Sequence, residues 1–280
     1  MGLTLCTVIK RDNKYIDEWI SYHMNIGIKD FIIYDNNNGI EDYPMTEFVS
    51  SLVKSKNIRI INKRNIQINE NEVFEEAYNS CKNKWICLLH TYEFLSIKTP
   101  KIDETLDEFK KCSNIKLFIN VFNDNNIIEH NGDFSINKFK NKVPVKPNDF
   151  NSTIAIIKTG ISKYYKLDKT GIIYPECVTM SSDKKEISSS ITYIYSLSDY
   201  LITVNSYPTK SLEEFLEKNV SNNDIYSDDF LNNIKRTYYS INKHTIEKDQ
   251  FIEYYINKTF FANETNNGIH SYASFNFGNG

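Results

Sequence analysis

The chain of 280 residues has no C-x-x-C pair, no long block of like charge, and no apolar run near the ~20 residues that a membrane span requires. Each absence removes a class of function. Its five cysteines, Cys6, Cys81, Cys87, Cys112 and Cys177, are odd in number and scattered, which argues against a zinc site or a disulfide framework. They read as reduced thiols of a cytosol-like compartment, each a small core residue rather than a nucleophile. The amino terminus lacks the charged-then-apolar pattern of a signal peptide, and MGLTLC places Cys6 where a myristoylation signal needs Ser or Thr. The expectation is a soluble, cytoplasmic protein with no membrane span. A net charge of -3 offers no general attraction to nucleic acid or to an anionic lipid surface, so partners are expected to be small or locally recognised.

What is present is a chain 40% apolar and 14% aromatic, enough for one large core. Leu3–Ile9 is a β-branched run of strand length. Asp12 or Asn13 can cap the helix that follows, where Tyr15, Ile16, Trp19, Ile20, His23 and Ile26 recur at helical spacing and Gly27 can end it. Phe31–Tyr34 reads as a second strand, running into the turn DNNNG from Asp35. Thr46–Lys54 reads as a short helix, Ile58–Ile61 as a third strand, and Asn69–Lys82 as a helix. The stretch WICLLHTYEFL, Trp85–Leu95, is a buried strand ending at His90, Thr91, Tyr92 and Glu93. Strand and helix alternate through short connections, the pattern of βαβ units in a mainly parallel sheet.

In such a sheet ligands collect beyond the carboxyl ends of the strands, which directs attention to residues 90–93 and to Asp35. No G-x-G-x-x-G follows the first strand and no P-loop occurs, which disfavours a dinucleotide enzyme or an ATPase of the usual kind. Asp35 stands where an acid can bind a ribose hydroxyl. An Asx-turn residue in a polar loop fits the local pattern equally well.

Four blocks carry a more specific signal: TVIKRDNKYIDEWISYHMNIGIKDFIIYDNNN (Thr7–Asn38), AYNSCKNKWICLLHTYEFL (Ala77–Leu95), FINVFNDNN (Phe118–Asn126) and SYPTKSLEEFLEK (Ser206–Lys218). In order and spacing they resemble glycosyltransferase family 92 and its bacterial family-2-like relatives. The resemblance implies a GT-A-like α/β domain, here residues 1–220, followed by a helical carboxyl-terminal extension over 221–280. It implies a nucleotide-sugar donor and a glycan or glycoconjugate acceptor, as in polysaccharide biosynthesis. Thr7, Lys10, Arg11, Asp35 and Asn36 are then expected at the nucleotide, and His90, Tyr92 and Glu93 at the diphosphate.

The fourth strand of the family should end in D-x-D-E-F, but this chain reads HTYEF. His90 and Tyr92 replace both aspartates. Mg²⁺ or Mn²⁺ prefers carboxylate oxygens, a phenol with a pKa of about 10 is a poor substitute, and one imidazole holds such an ion weakly. If the segment stays extended, residues 90 and 92 face one way and 91 and 93 the other. A His-Tyr pair of the family also reads Ser206-Tyr207 here. No metal ligands are assigned, and use of a divalent ion is left open.

Farther along, Ile102–Cys112 reads as a helix and Lys116–Phe122 as a strand leading to NDNN. Asp124 is the candidate base for an inverting transfer, with a turn-forming Asp as the plain alternative. Ser211 and Glu214 make an S-x-x-E capping box, so Leu212–Lys218 should be a helix. Lys210 lies just before it, where a diphosphate can be met. Ile225–Ile241 and Thr245–Phe260 read as helices whose aromatic faces pack on the domain or join copies into a homo-oligomer. Two readings follow: metal-independent transfer, with Lys10, Arg11 or Lys210 offsetting the diphosphate, or a catalytically inactive domain that binds a glycan, a nucleotide or a protein.

Overall fold

Strand β1 (Leu3–Ile9) is buried along all but one of its positions, as a strand covered on both faces must be. A single 3-10 turn, Asn13–Tyr15, leads into helix α1 (Ile16–Asn25), which buries Ile16, Trp19, Ile20 and His23. The Asp12 side chain makes no capping bond there, and that of Asn13 instead accepts from Asn37. Gly27, at φ +100°, ends the helix in a backbone conformation that disfavours other residues. The structure, a computed structural model, describes residues 2–38, 57–129, 138–144, 154–187, 199–220 and 227–261. The helix expected over 46–54 and the tail from 263 lie outside these.

The chain continues through β2 (Asp30–Asp35), β3 (Ile58–Asn62), α2 (Glu70–Ser80) and β4 (Trp85–Leu88). Asn69 caps α2, its Oδ1 accepting from the Asn71 N–H at 3.0 Å. Val73, Phe74, Ala77 and Tyr78 of α2 pack on Cys6, Ile32, Tyr34, Ile86 and Leu88 of the strands. These four strands are parallel, in the order β3-β2-β1-β4, as the alternation of elements implies.

After β4 the expectation of one extended run fails. The Glu93 N–H donates to the His90 carbonyl at 2.9 Å, and the His90 N–H to Glu93 Oε2 at 2.8 Å, closing a turn. A separate strand β5 (Glu93–Ile97) follows. Helix α3 covers only Ile102–Asp107, and turns of i to i+3 type carry the chain on to Cys112. Then come β6 (Asn114–Val121), β7 (Ile154–Lys158), β8 (Lys166–Asp168), β9 (Gly171–Ile173), β10 (Thr179–Ser181) and β11 (Ile202–Ser206).

Among the described residues the main sheet runs β3-β2-β1-β4-β7-β6-β11-β5, with β10 on β6, while β8 and β9 form a hairpin of their own. The strand β7 is antiparallel to both β4 and β6, and β5 to β11. The short turn from β4 to the far end of this order requires the sheet to curl. The α/β class expected from the sequence is the one found, a mixed sheet flanked by helices. All five cysteines are free thiols, and burial pushes Cys6, Cys87 and Cys112 upward, Cys112 to about 11.

Two units are formed. The first comprises Met1–Asn123 and Phe134–Pro208, the second Asp124–Asp133 and Thr209–Gly280. In the second, helices α4 (Leu212–Asn219), α5 (Asp228–Tyr239) and α6 (Ile246–Phe261) enclose a core of Leu212, Phe215, Leu216, Ile234, Tyr238, Ile252 and Ile256. The capping box is present: Ser211 Oγ accepts from the Glu214 N–H, and Glu214 Oε2 from the Ser211 N–H. Because α4 shares its core with α5 and α6, it groups with them in the second unit.

Candidate active site at the carboxyl ends of the parallel strands

Ile9 of β1 lies in register with Asp35 of β2, and Asp35 with Asn62 of β3. The segments that leave these strands are tied together by Asn37, which is fully buried. Its Oδ1 accepts from the Arg11 N–H at 2.8 Å, and its amide donates to Asn13 Oδ1 at 2.7 Å and Asp35 Oδ1 at 2.8 Å. Arg11 there holds a left-handed backbone, φ +59°. Asp35 is 3% exposed, and its second oxygen lies 3.4 Å from Arg64. The Asn36 amide donates to the carbonyls of Lys63 and Ile66, holding the segment after β3.

The expected donor residues thus divide by accessibility. Lys10 and Arg11 are exposed and His90 and Tyr92 partly exposed, whereas Thr7, Asp35, Asn36 and Glu93 are buried. The hydroxyls of Thr7 and Thr91 are buried with no hydrogen-bond partner among the described residues.

At the end of β4, the turn changes how residues 90–93 face. His90 and Tyr92 stack with ring centroids 5.0 Å apart and planes 15° from parallel. Burial, then the carboxylates of Glu93, Asp12 and Glu70, push the Tyr92 phenol well above the usual tyrosine range. It is a neutral phenol at physiological pH. Two further residues, not anticipated from the sequence, meet His90 here. Glu70, at the start of α2, places Oε1 3.5 Å from His90 Nε2, and Lys169, in the β8–β9 turn, places Nζ 3.5 Å from the same nitrogen. Lys169 and Glu70 are 3.4 Å apart. No local pattern marks either residue, since the sheet alone brings residues 70, 90 and 169 to one place.

Beneath this edge, Trp19 Nε1 donates to the Glu93 carbonyl at 3.0 Å. His23 Nδ1 bonds the Trp19 carbonyl at 2.8 Å, and Nε2 accepts from the Leu95 N–H at 3.2 Å. That pair of bonds needs the neutral Nδ1–H tautomer, and burial lowers the His23 pKa to about 3. His23 is a fixed strut under the turn, matching its place on the Trp19 face.

Asp124 and Lys210 belong to the second unit. Asp124 is 1% exposed, and its carboxylate contacts Lys248 Nζ at 2.6 Å, the Tyr238 hydroxyl and the Asn126 N–H. A base must aim a lone pair at the acceptor hydroxyl. Both Asp124 oxygens are engaged, Oδ2 by Lys248 and Tyr238 and Oδ1 by the Asn126 N–H, so one of these contacts must open before Asp124 can act as a base. Lys210 is 6% exposed, with φ +52°, immediately before the capping box.

A divalent ion of the D-x-D kind does not fit this edge. The two positions that the resemblance assigns to the aspartates hold an imidazole and a neutral phenol, Glu93 turns an oxygen back onto the His90 N–H, and a lysine ammonium lies beside the imidazole. Among the described residues no three His, Cys, Asp or Glu side chains are grouped to hold an ion.

No protein-family model matches the chain. It is 33% identical to a glycosyltransferase family 92 protein of Ricinus communis over 54 residues, 19% of this chain and 9% of that protein. With a glycosyltransferase family 92 protein of Oryza sativa subsp. japonica the identity is 40% over 43 residues, 15% of this chain and 7% of the relative. The matches therefore span a small part of either relative's length. Among solved structures, S. aureus TarS 1-349 has a TM-score of 0.39 at 10% identity, covering 96% of this chain and 74% of that one. The same protein in complex with UDP-GlcNAc gives 0.38 at 12%, covering 92% and 72%. A likeness so distant carries nothing about this chain's ligand. Over these short segments the chain is similar to glycosyltransferase family 92 proteins, the family its four motif blocks resemble.

Proposed function

We propose that the first unit binds a nucleotide sugar and transfers the sugar to a hydroxyl of a glycan or glycoconjugate. One observation supports this reading: Lys10 and Arg11 follow β1, Asp35 ends β2 with Asn36 after it, and residues 90–93 follow β4, all at the carboxyl ends of neighbouring parallel strands. Open α/β sheets bind ligands at such ends. In the transfer an acceptor oxygen bonds the anomeric carbon as the bond from that carbon to the diphosphate oxygen breaks. The electron pair leaves with the diphosphate, and the acceptor proton passes to a base. Negative charge accumulates on the leaving group, so cations near it lower the barrier. Lys10, Arg11 and Lys210 are the cations the sequence offers. Lys10 and Arg11 reach solvent directly, His90 and Tyr92 in part, whereas Asp35 meets a ribose hydroxyl on exchanging it for Arg64.

A catalytically inactive, ligand-binding domain is the second reading, favoured by the loss of both D-x-D aspartates and by the engagement of Asp124. Turnover of a panel of nucleotide sugars, measured in EDTA and with added Mn²⁺, separates the two. Transfer or hydrolysis of one donor that survives EDTA is the expected result. Binding without turnover in either condition supports the second reading, and neither binding nor turnover removes both.

A further inference from the structure

We propose that Lys169 does the work of a D-x-D-bound cation, its ammonium binding the donor's diphosphate beside His90 and offsetting charge on the leaving group. The proposal rests on the reading of this edge as a nucleotide-sugar site. It is carried by position. Where the resemblance places the first aspartate of D-x-D stands His90, and Lys169 Nζ lies 3.5 Å from its imidazole, as does Glu70 Oε1. In place of a carboxylate pair that would grip a cation, this edge carries a cation of its own.

The turn that presents Lys169 is anchored on every side. Asp168 Oδ1 accepts from the Thr170 N–H at 2.7 Å and from its hydroxyl at 2.5 Å. The Lys169 carbonyl accepts from the Ala155 N–H at 2.9 Å, pinning the turn to β7, and the Thr170 carbonyl accepts from Lys116 Nζ. Asn114 of β6 bonds both backbone groups of Ile172 at 2.8 Å, adding the hairpin to the sheet. These bonds fix the backbone from which the Lys169 side chain projects, so the ammonium is presented toward His90 before charge develops, as electrostatic stabilisation favours. Its side chain is 37% exposed, so an arriving anion can reach it.

Glu70 completes the arrangement. It contacts both Lys169, at 3.4 Å, and His90, at 3.5 Å. A diphosphate carries more charge than one carboxylate and can displace it, so Glu70 is a place-holder that weakens anion binding. The carboxylates of Glu93 and Asp12, which raise the Tyr92 phenol beside His90, repel a diphosphate, and Lys169 opposes them.

The test is calorimetric titration of the full chain with inorganic pyrophosphate and with UDP, in EDTA. Removing one charge-assisted contact should matter by ~10-fold or more, so Lys169→Met is expected to weaken both ligands by at least that factor. Lys169→Arg should recover most of the loss and Glu70→Gln should tighten binding, whereas a merely structural role predicts neither. Equal affinity in wild type and Lys169→Met overturns the proposal, as does no binding of either ligand by the wild type. Lys169-dependent binding in a protein that turns over no nucleotide sugar upholds the lysine and removes the transferase reading. Turnover unchanged in Lys169→Met upholds the transferase reading and removes the lysine.

Discussion

Lys248 and Asp124 form an ion pair of 2.6 Å in which each side chain is only 2% exposed. The ammonium also bonds the Lys243 carbonyl at 3.1 Å and lies 5.7 Å from the centre of the Tyr238 ring. The Asn242 side chain accepts from the Asp124 N–H at 2.8 Å. The pair fastens the segment after residue 123 to α5 and α6. Removing one partner strands a buried charge, which costs about 3–5 kcal/mol, whereas replacing both by apolar groups is often close to neutral. Lys248→Met should therefore destabilise the helical unit strongly, and Lys248→Met with Asp124→Leu much less. Urea denaturation followed by circular dichroism checks this. A loss in the double variant equal to the sum of the losses in Lys248→Met and Asp124→Leu would show that the charges are not coupled.

Asn37 was not singled out by the sequence, yet it bonds Arg11, Asn13 and Asp35 at once. Asn37→Ala removes three hydrogen bonds at once, worth about 0.5–1.5 kcal/mol each. Loss of stability should accompany weaker UDP binding, because the left-handed turn at Arg11 loses its acceptor. Intact UDP affinity in the folded variant would separate that turn from the nucleotide.

His23 sets an acid limit. Its pKa of about 3 when folded lies below the ordinary 6.5, so between these values the unfolded chain takes a proton that the folded one refuses. Its contribution is complete above pH 6.5 and is lost as pH falls toward 3, with a slope of up to about 1.4 kcal/mol per pH unit. Trp19 packs on the imidazole at 4.8 Å, so its fluorescence can report the transition. In His23→Gln the protein should be less stable at neutral pH, and this part of the acid dependence should vanish.

Gly171 has φ +147°, and a Cβ there would stand 3.2 Å from Asn114 Oδ1. Gly171→Ala forces either a strained backbone or a shift of the amide that joins the hairpin to β6, at about 1–3 kcal/mol. Faster hydrogen exchange over residues 166–173, with little change in β1 and β2, is the expected signature.

Local chemistry was enough to read β1, α1, β2, β3, α2 and β4, because apolar runs and helical spacing respond to burial on a fixed face, and enough to read the capping box at Ser211. It was not enough to read β5, since His90–Tyr92 turns through bonds between His90 and Glu93 that no spacing reveals. Nor could it give the direction of β7, whose apolar run is the same whether its neighbours are parallel or antiparallel. For the site, the family-like blocks led to residues 10, 11, 35, 36 and 90–93, because those motifs are continuous in the chain. Lys169 and Glu70 were beyond reach, because their charges acquire meaning only against His90, far from either in sequence. Asp124 shows the same limit from the other side. Its identity is local, but whether a carboxylate can accept a proton from a substrate depends on what occupies its lone pairs, and Lys248 and Tyr238 reach them only when the helices pack.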